Sequence, residues 1–154
     1  MFVVLGSDHA GFALKESIKG LLDEMKVPYR DLGTAQPVPV DYPDYAEAVA
    51  REIVSGRADR GILACGTGIG MSIAANKIPG IRAAVVWDEN SARLARAHND
   101  ANIMTVGGRT TPAGHVAAMV RVFLATDYED GHHDPRIRKI AKLERRDAPP
   151  WTTP

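Results

Sequence analysis

A short apolar run that leads into a glycine-rich loop and then into a helix constrains the fold of this chain more than any other segment. Residues 61–64 have the length and character of a buried strand, and residues 65–70 supply three glycines directly after it. The next residues favour a helix, which Pro79 and Gly80 end. A strand that turns through glycines into a helix directs several backbone N–H groups at one point, backed by the positive end of the helix dipole. The segment therefore predicts an α/β unit that binds an anion or stabilises an oxyanion.

The same loop holds the only cysteine of the chain, Cys65. The helix dipole behind the loop favours a thiolate, so one interpretation is a base or nucleophile that works near neutral pH. The other interpretation is a buried thiol that fills a tight turn as a small apolar side chain. A single cysteine cannot form an internal disulfide, which is typical of a reducing compartment, and we expect a cytoplasmic protein.

Length and charge exclude several functional classes. The chain has 154 residues, which suits one domain with a substantial core. Its 19 basic and 19 acidic residues give a formal net charge of zero, so no overall field attracts nucleic acid or an anionic membrane surface. The apolar run at residues 2–5 is too short for a signal peptide or a membrane span, and no later apolar run approaches the length of a span. We therefore expect neither nucleic acid nor a membrane as a partner.

Short apolar segments alternate with helical patterns along the chain. The predicted strands cover residues 2–5, 28–32, 61–64, 81–87 and 102–106. Helical periodicity or helix-start signals follow each strand, and residues 34–41 form a proline-rich loop without periodicity. Alternation of this kind predicts parallel βαβ units and one doubly wound α/β sheet of five strands, in a single domain over residues 1–146.

The C-terminal part differs in character. Residues 136–146 show an amphipathic helical pattern with six Lys or Arg residues. A basic face of this kind is either a solvated surface or a contact with a partner subunit or an anionic ligand. Residues 147–154 are rich in proline, and we expect a disordered tail there.

Residues capable of chemistry follow three of the predicted strands. Ligands of an open parallel sheet bind beyond the carboxyl ends of its strands. Asp8 and His9 follow the first strand, the glycine loop follows the third, and Arg109 follows the fifth. His98 and Asn99 come just before the fifth strand, and we expect them on the same rim. Each also has an ordinary explanation, Asp8 as a helix cap, His98 as a cation at a helix C-terminus and Arg109 as a surface residue.

Two nucleotide-binding motifs fit the glycine loop poorly. A phosphate-binding P-loop ends in Gly-Lys-Ser/Thr, which is not found here. A dinucleotide fingerprint reads G-x-G-x-x-G, whereas Gly66, Gly68 and Gly70 give G-x-G-x-G. Asp88 does follow the next strand, where a ribose-binding acid would belong. A non-catalytic module that binds a nucleotide or a phosphosugar therefore stays an alternative.

Four segments resemble the type B ribose-5-phosphate isomerase family, which includes galactose-6-phosphate and allose-6-phosphate isomerases. The segments are residues 6–11, 41–43, 65–77 and 98–102, and the resemblance spans residue 2 to about residue 146. It implies a Rossmann-like fold and an aldose–ketose isomerase that needs no cofactor. It also implies a homodimer or homotetramer whose active sites are shared between subunits. Ribose 5-phosphate is the expected substrate, and a four- or six-carbon sugar phosphate is the alternative.

The resemblance implies catalytic roles for residues of this chain. Cys65 corresponds to the base that moves a proton between C1 and C2 of the sugar, and His98 to the acid that opens the furanose ring. Thr67 and the backbone N–H groups of the loop correspond to the oxyanion ligands. The other loop residues with this implied role are Gly66, Gly68, Ile69 and Gly70. No metal is implied, and the spacing of the histidines does not indicate a metal site.

The family also implies which residues bind the substrate. The implied ligands of sugar hydroxyl groups are Asp8, His9, Tyr42 and Asn99. Arg109 and Arg136 correspond to phosphate ligands, and Arg136 would come from the neighbouring subunit through the C-terminal helix. One position departs from the pattern, because His132 stands where the family usually carries a second phosphate-binding arginine. A histidine there predicts weaker phosphate binding or a sugar of different length.

Overall fold

A five-stranded sheet forms the centre of the computed structural model, which describes residues 1–144. The strands are β1 (Val3–Ser7), β2 (Tyr29–Asp31), β3 (Arg60–Cys65), β4 (Ala83–Val85) and β5 (Ile103–Gly107). All neighbouring pairs are parallel, and the order across the sheet is β2-β1-β3-β5-β4. The predicted Rossmann-like α/β architecture with five strands is confirmed.

Helices cover both faces of the sheet. They are α1 (Phe12–Glu24), α2 (Tyr42–Val54), α3 (Ile69–Ala75), α4 (Glu89–Ala97), α5 (Ala113–Ala125) and α6 (Asp134–Leu143). The first core, which includes Val3 and Leu5 of β1, packs against α1, α4 and α5. The second core, which includes Val4, packs against α2 and α3. Successive residues of a strand point to opposite faces, so each buried strand supplies both cores.

Two predicted elements differ from the observed ones. Residues 81–87 read as one strand, but β4 keeps only the middle of this run. The Trp87 N–H donates to Ser91 Oγ at 3.1 Å, so this residue belongs to the cap of α4 and not to the sheet. Helix α6 begins at Asp134, before the predicted start at Arg136, because Pro135 suits the first helical turn.

Two predictions at the C-terminus concern residues outside the described range. The expected domain boundary at residue 146 and the expected tail over residues 147–154 both fall there. Within residues 1–144, no helix is both long enough and apolar enough to cross a bilayer.

Main-chain segments touch each other directly at the carboxyl edge of the sheet. A Cβ atom on Gly11, just before α1, would overlap the Ala64 carbonyl group and lie 2.8 Å from Cys65 N. Gly68 has φ +79°, and a Cβ atom there would lie 3.0 Å from the carbonyl carbon of Val106. Only glycine allows such approaches, and at Gly68 only glycine adopts the left-handed conformation without strain. These glycines let the loop after β1 lie against the end of β3, and the loop after β3 lie against the end of β5.

We predict that Gly11→Ala lowers the free energy of unfolding by about 3 kcal/mol or more, because the new methyl group must displace the backbone of β3. Gly20→Ala is the matched control, since nothing lies within 4 Å of a Cβ atom on this exposed glycine of α1. An alanine in the middle of a helix should raise stability by roughly 0.5–1 kcal/mol. Urea unfolding of both variants measures the difference, and equal stabilities would contradict the backbone contact.

Candidate active site

The strand order brings three loops together at one edge. β3 lies between β1 and β5, and the order of the chain reverses at the β1–β3 boundary, where open α/β sheets bind their ligands. The Asp8 N–H donates to Ala64 O at 3.3 Å, and the Gly108 N–H donates to Cys65 O at 2.8 Å. The Arg109 N–H donates to Gly66 O at 3.0 Å. The predicted meeting of these loops is confirmed.

Cys65 is the last residue of β3 and is 5% exposed. Its Sγ accepts a hydrogen bond from the Gly68 N–H at 3.1 Å, inside the turn that leads to α3. An N–H donor at a helix start stabilises negative charge on sulfur. The thiol is therefore buried, as one interpretation expected, and it also accepts an N–H at the start of α3, where the interpretation as a base places it.

The start of α3 lies beside this thiol. Thr67 is exposed, and its Oγ1 accepts a hydrogen bond from the Ile69 N–H at 3.3 Å. The Tyr42 ring packs against Gly70, and a Cβ atom on Gly70 would lie 2.7 Å from the ring carbon Cζ. Tyr42 is the first residue of α2, so α2 and α3 begin side by side at the same rim.

The residues that follow β1 have structural partners of their own. Asp8 is 6% exposed, and its Oδ1 accepts a hydrogen bond from the Gly11 N–H at 2.9 Å. His9 Nδ1 accepts a hydrogen bond from the Val40 N–H at 3.3 Å, which anchors the proline-rich loop. Asp8 thus closes the turn into α1, which is close to the helix-cap explanation. The Arg109 guanidinium packs over Gly66, with Nη1 3.4 Å from a Cβ atom built there.

His98 and Asn99 lie at the opposite edge of the sheet. His98 caps the C-terminus of α4, and Arg82, which directly precedes β4, donates from Nε to Asn99 O at 3.0 Å. The expectation that these two residues share the rim of Cys65 was wrong. A helix that joins parallel strands runs back along the sheet, so α4 ends at the amino edge. The six residues of β3 span roughly 20 Å between the two edges.

His98 belongs to a cluster of aromatic rings at this amino edge. Its ring stacks on His133 at 4.2 Å between centroids, and the His132 ring contacts His133 at 3.8 Å. Arg136, on the first turn of α6, donates to the His132 carbonyl oxygen. Partial burial of the His133 ring lowers its pKa, and positive charge on His132, His98 and Arg136 adds to this effect. We name this group, His98, His132, His133 and Arg136, the amino-edge group.

The end of α4 is held by a buried guanidinium. Arg96 is 2% exposed, and its Nη1 donates to Asp100 Oδ1 at 2.8 Å and to Ala101 O at 2.7 Å. Its Nε donates to Thr126 O at 3.3 Å, while Asp100 itself adopts φ 44°. Arg96 is not recognisable as buried from the sequence, because an arginine on an amphipathic helix is typical of a solvated face. Its bonds fix the turn that carries His98.

We predict that Arg96→Lys lowers the free energy of unfolding by about 1–3 kcal/mol, because an ammonium group cannot reproduce the forked bonds and leaves buried acceptors unpaired. Arg93→Lys on the same helix is the control, since that arginine is 47% exposed and lies 3.9 Å from its carboxylate partner. The control should change stability by less than about 0.5 kcal/mol. Thermal unfolding of both variants in parallel measures the difference. Equal losses of stability in Arg96→Lys and Arg93→Lys would contradict the role of the buried Arg96 guanidinium.

Asp88 has a local role that removes the support for nucleotide binding. Its Oδ1 accepts a hydrogen bond from the Ser91 N–H at 2.6 Å, and the Ser91 hydroxyl bonds back to the Asp88 backbone. These bonds from Ser91 lower the pKa of the carboxyl group. The pair is a capping box for α4. The carboxylate that could have bound a ribose is therefore engaged in its own helix.

The sheet topology, and a thiol that accepts a backbone N–H at the point where the strand order reverses, define a Rossmann-like α/β protein with a candidate ligand site at its carboxyl edge. A family model described as Ribose/Galactose Isomerase matches residues 3–140 of the chain. The chain belongs to this family, and the resemblance of its four segments predicted this membership correctly.

Relatives and solved structures agree with this assignment. The chain is 43% identical to ribose-5-phosphate isomerase B of Escherichia coli over 144 residues, which cover 94% of this chain and 97% of that protein. It superposes on ribose-5-phosphate isomerase B of Clostridium thermocellum with a TM-score of 0.93 at 43% identity, covering 94% of this chain and 98% of that one. The enzyme of Mycoplasma genitalium, solved with bound ribulose-5-phosphate, gives a TM-score of 0.89 at 38% identity and coverages of 94% and 96%.

Proposed function

We propose that this chain is an aldose–ketose isomerase that interconverts ribose 5-phosphate and ribulose 5-phosphate without a cofactor, in the cytoplasm. The observation that carries the proposal is the thiol of Cys65, which accepts the Gly68 N–H at 3.1 Å where the strand order reverses. A module that only binds its ligand has no use for a base at an oxyanion loop. Family membership and the ribulose-5-phosphate held by the Mycoplasma genitalium relative support the choice of substrate.

The reaction needs a base and a site for negative charge. A proton must leave C2 of the aldose and return at C1, while the carbonyl group moves from C1 to C2 through an enediolate. We assign the proton transfer to Cys65, whose thiolate accepts the Gly68 N–H, takes the proton from C2 and, as the resulting thiol, returns it at C1. Thr67 and the backbone N–H groups at the start of α3 lie beside the sulfur and stabilise the enediolate oxygens. Asp8, His9 and Tyr42 line the same rim as ligands of sugar hydroxyl groups.

A second copy of the chain completes the site in this proposal. Cys65 and Arg109 lie at the carboxyl edge, whereas His98, Asn99 and Arg136 lie at the amino edge, roughly 20 Å away across β3. One chain therefore cannot bring its own ring-opening acid to its own base. In a homodimer, or in a homotetramer built from such dimers, the amino-edge group of one copy would face the carboxyl edge of the other.

Exposed apolar side chains support such an association. Trp87 is 67% exposed, and Ile73 and Ile69 on α3 are 58% and 55% exposed. Ile140 and Leu143 on α6 are also exposed, at 39% and 57%. Large apolar side chains that are this open to solvent favour contact with a partner surface. Helix α6, which we expect to reach the neighbouring subunit, carries both Arg136 and two of these side chains.

The first test concerns the base. We expect Cys65→Ala to lower kcat for ribose 5-phosphate by about 10²–10⁴-fold, because a positioned acid–base group contributes a factor in this range. The thermal unfolding transition should stay close to that of the native protein, since alanine removes one sulfur atom. Near-native turnover in a folded variant would remove Cys65 from the mechanism.

The second test concerns the shared site. Cys65→Ala and His98→Asn chains should each be inactive alone, whereas co-expressed chains form mixed dimers with one intact site. Random pairing then restores on the order of a quarter of the native activity. As a control, Cys65→Ala chains paired with chains that carry both substitutions should regain nothing. If purified mixed dimers have no activity, the two residues do not meet across the interface.

The third test concerns phosphate binding at His132. We expect His132→Arg to lower the KM for ribose 5-phosphate about tenfold, because a fixed cation adds one charge-assisted hydrogen bond worth about 1.5 kcal/mol or more. Ser17→Arg adds the same charge on the exposed side of α1 and controls for general attraction of the anion. A KM that falls equally in both variants, or in neither, would show that His132 does not face the phosphate.

A further inference from the structure

Three side chains at the amino edge converge in the manner of metal ligands. His98, Glu129 and His133 each offer one ligand atom, and these atoms all lie within 4.8 Å of one another. His98 Nε2 and Glu129 Oε2 are 4.0 Å apart. The three residues come from the end of α4, from the segment after α5 and from the short helical turn before α6. Two histidines and one carboxylate form a ligand set that borderline divalent ions such as Zn²⁺ prefer, with a further position left for water.

The backbone holds these three residues in place. The Glu129 N–H donates to Ala97 O at 2.8 Å, which fixes Glu129 beside the end of α4. The Tyr128 hydroxyl donates to Asp134 Oδ1 at 3.0 Å and closes the segment that carries His133. The Glu129 side chain is 63% exposed and the His98 side chain is 39% exposed. These two side chains are therefore open to solvent and have room to change rotamer when an ion binds beside the partly buried His133.

His133 gives a second, independent indication of a ligand. Its Nε2 atom is buried and has no hydrogen-bond partner among the residues that the structure describes. A buried polar atom without a partner carries a desolvation cost that a bound ion or ligand relieves.

We propose that His98, His133 and Glu129 form a site for a divalent transition-metal ion of the zinc type, and that the bound ion inhibits isomerisation. The ion takes the lone pair of the His98 imidazole, which then cannot give or accept the proton that opens the sugar ring. The inhibitory part rests on the proposed function, whereas the binding part rests on the cluster alone. The chain would thus lose activity when free zinc rises, and regain it when zinc is removed.

Zinc binding is measured first, with Zn²⁺ alone as the probe and a chromogenic chelator as competitor. A Cys65→Ser background removes the thiolate as a rival ligand. We expect one Zn²⁺ per chain, and an affinity for Zn²⁺ at least tenfold weaker after Glu129→Gln or after His133→Asn. Removal of a hydrogen-bond partner of a metal ligand already weakens metal binding at least tenfold, and removal of the ligand itself should weaken it no less. His115→Asn, an exposed histidine of α5, is the matched control and should bind zinc as the parent does. Unchanged affinity in both cluster variants would overturn the site.

Inhibition is measured second, on chains that keep Cys65. Each protein is normalised to its own rate in the presence of chelator, and that rate tests the proposed function independently of zinc. The Zn²⁺ concentration that halves the rate should be at least tenfold higher for Glu129→Gln than for the native chain. Equal sensitivity of the two proteins would overturn the inhibitory part. Tight zinc binding at the cluster without inhibition would also overturn the inhibitory part and the role of His98 in ring opening. The metal site itself would remain supported.

Discussion

Direct contact between main-chain segments at the carboxyl edge is the constraint on which the site depends. Gly11 lies against Ala64, and a Cβ atom on Gly107 would lie 2.7 Å from Thr67 Cα. Because no side chains separate these loops, their N–H groups converge within a small volume and have little freedom to move. The Cys65 sulfur sits inside this arrangement and accepts one of those N–H groups. A general base benefits from such rigidity, since correct positioning before the reaction lowers the barrier.

Much of the fold could be predicted because it follows from local rules. Apolar runs of strand length, helical periodicity and glycine or proline breaks gave all five strands and their order along the chain. The βαβ rule then gave a parallel sheet, and the carboxyl-edge rule placed Asp8, Cys65 and Arg109 together. The predicted strand boundaries were wrong where a residue at the end of an element bonds to the next element. Trp87 is of a residue type that favours strands, yet its N–H donates to Ser91 Oγ in the cap of α4.

The rest of the site depends on directions and contacts that the pattern of residues does not contain. His98 precedes β5 closely in sequence, but the path of α4 places it at the far edge from Cys65. Glu129 and His133 approach His98 only because the chain after α5 returns across the end of α4. Arg96 looks like a surface residue until three backbone or carboxylate oxygens converge on it. The bonds of Arg96 to Thr126 and of Glu129 to the end of α4 join distant segments, and periodicity and composition do not encode such contacts.

The length of β3 has a consequence for how this chain can vary. Its six residues set the distance between the two edges of the sheet, and so the distance between Cys65 and the amino-edge group. Inserting one residue into β3 would increase this distance by about 3.3 Å and turn every following side chain to the other face of the sheet. The buried residues of both cores and the spacing of the site therefore forbid the same insertion. Length changes are expected instead in exposed segments away from the site, such as residues 37–39 of the proline-rich loop.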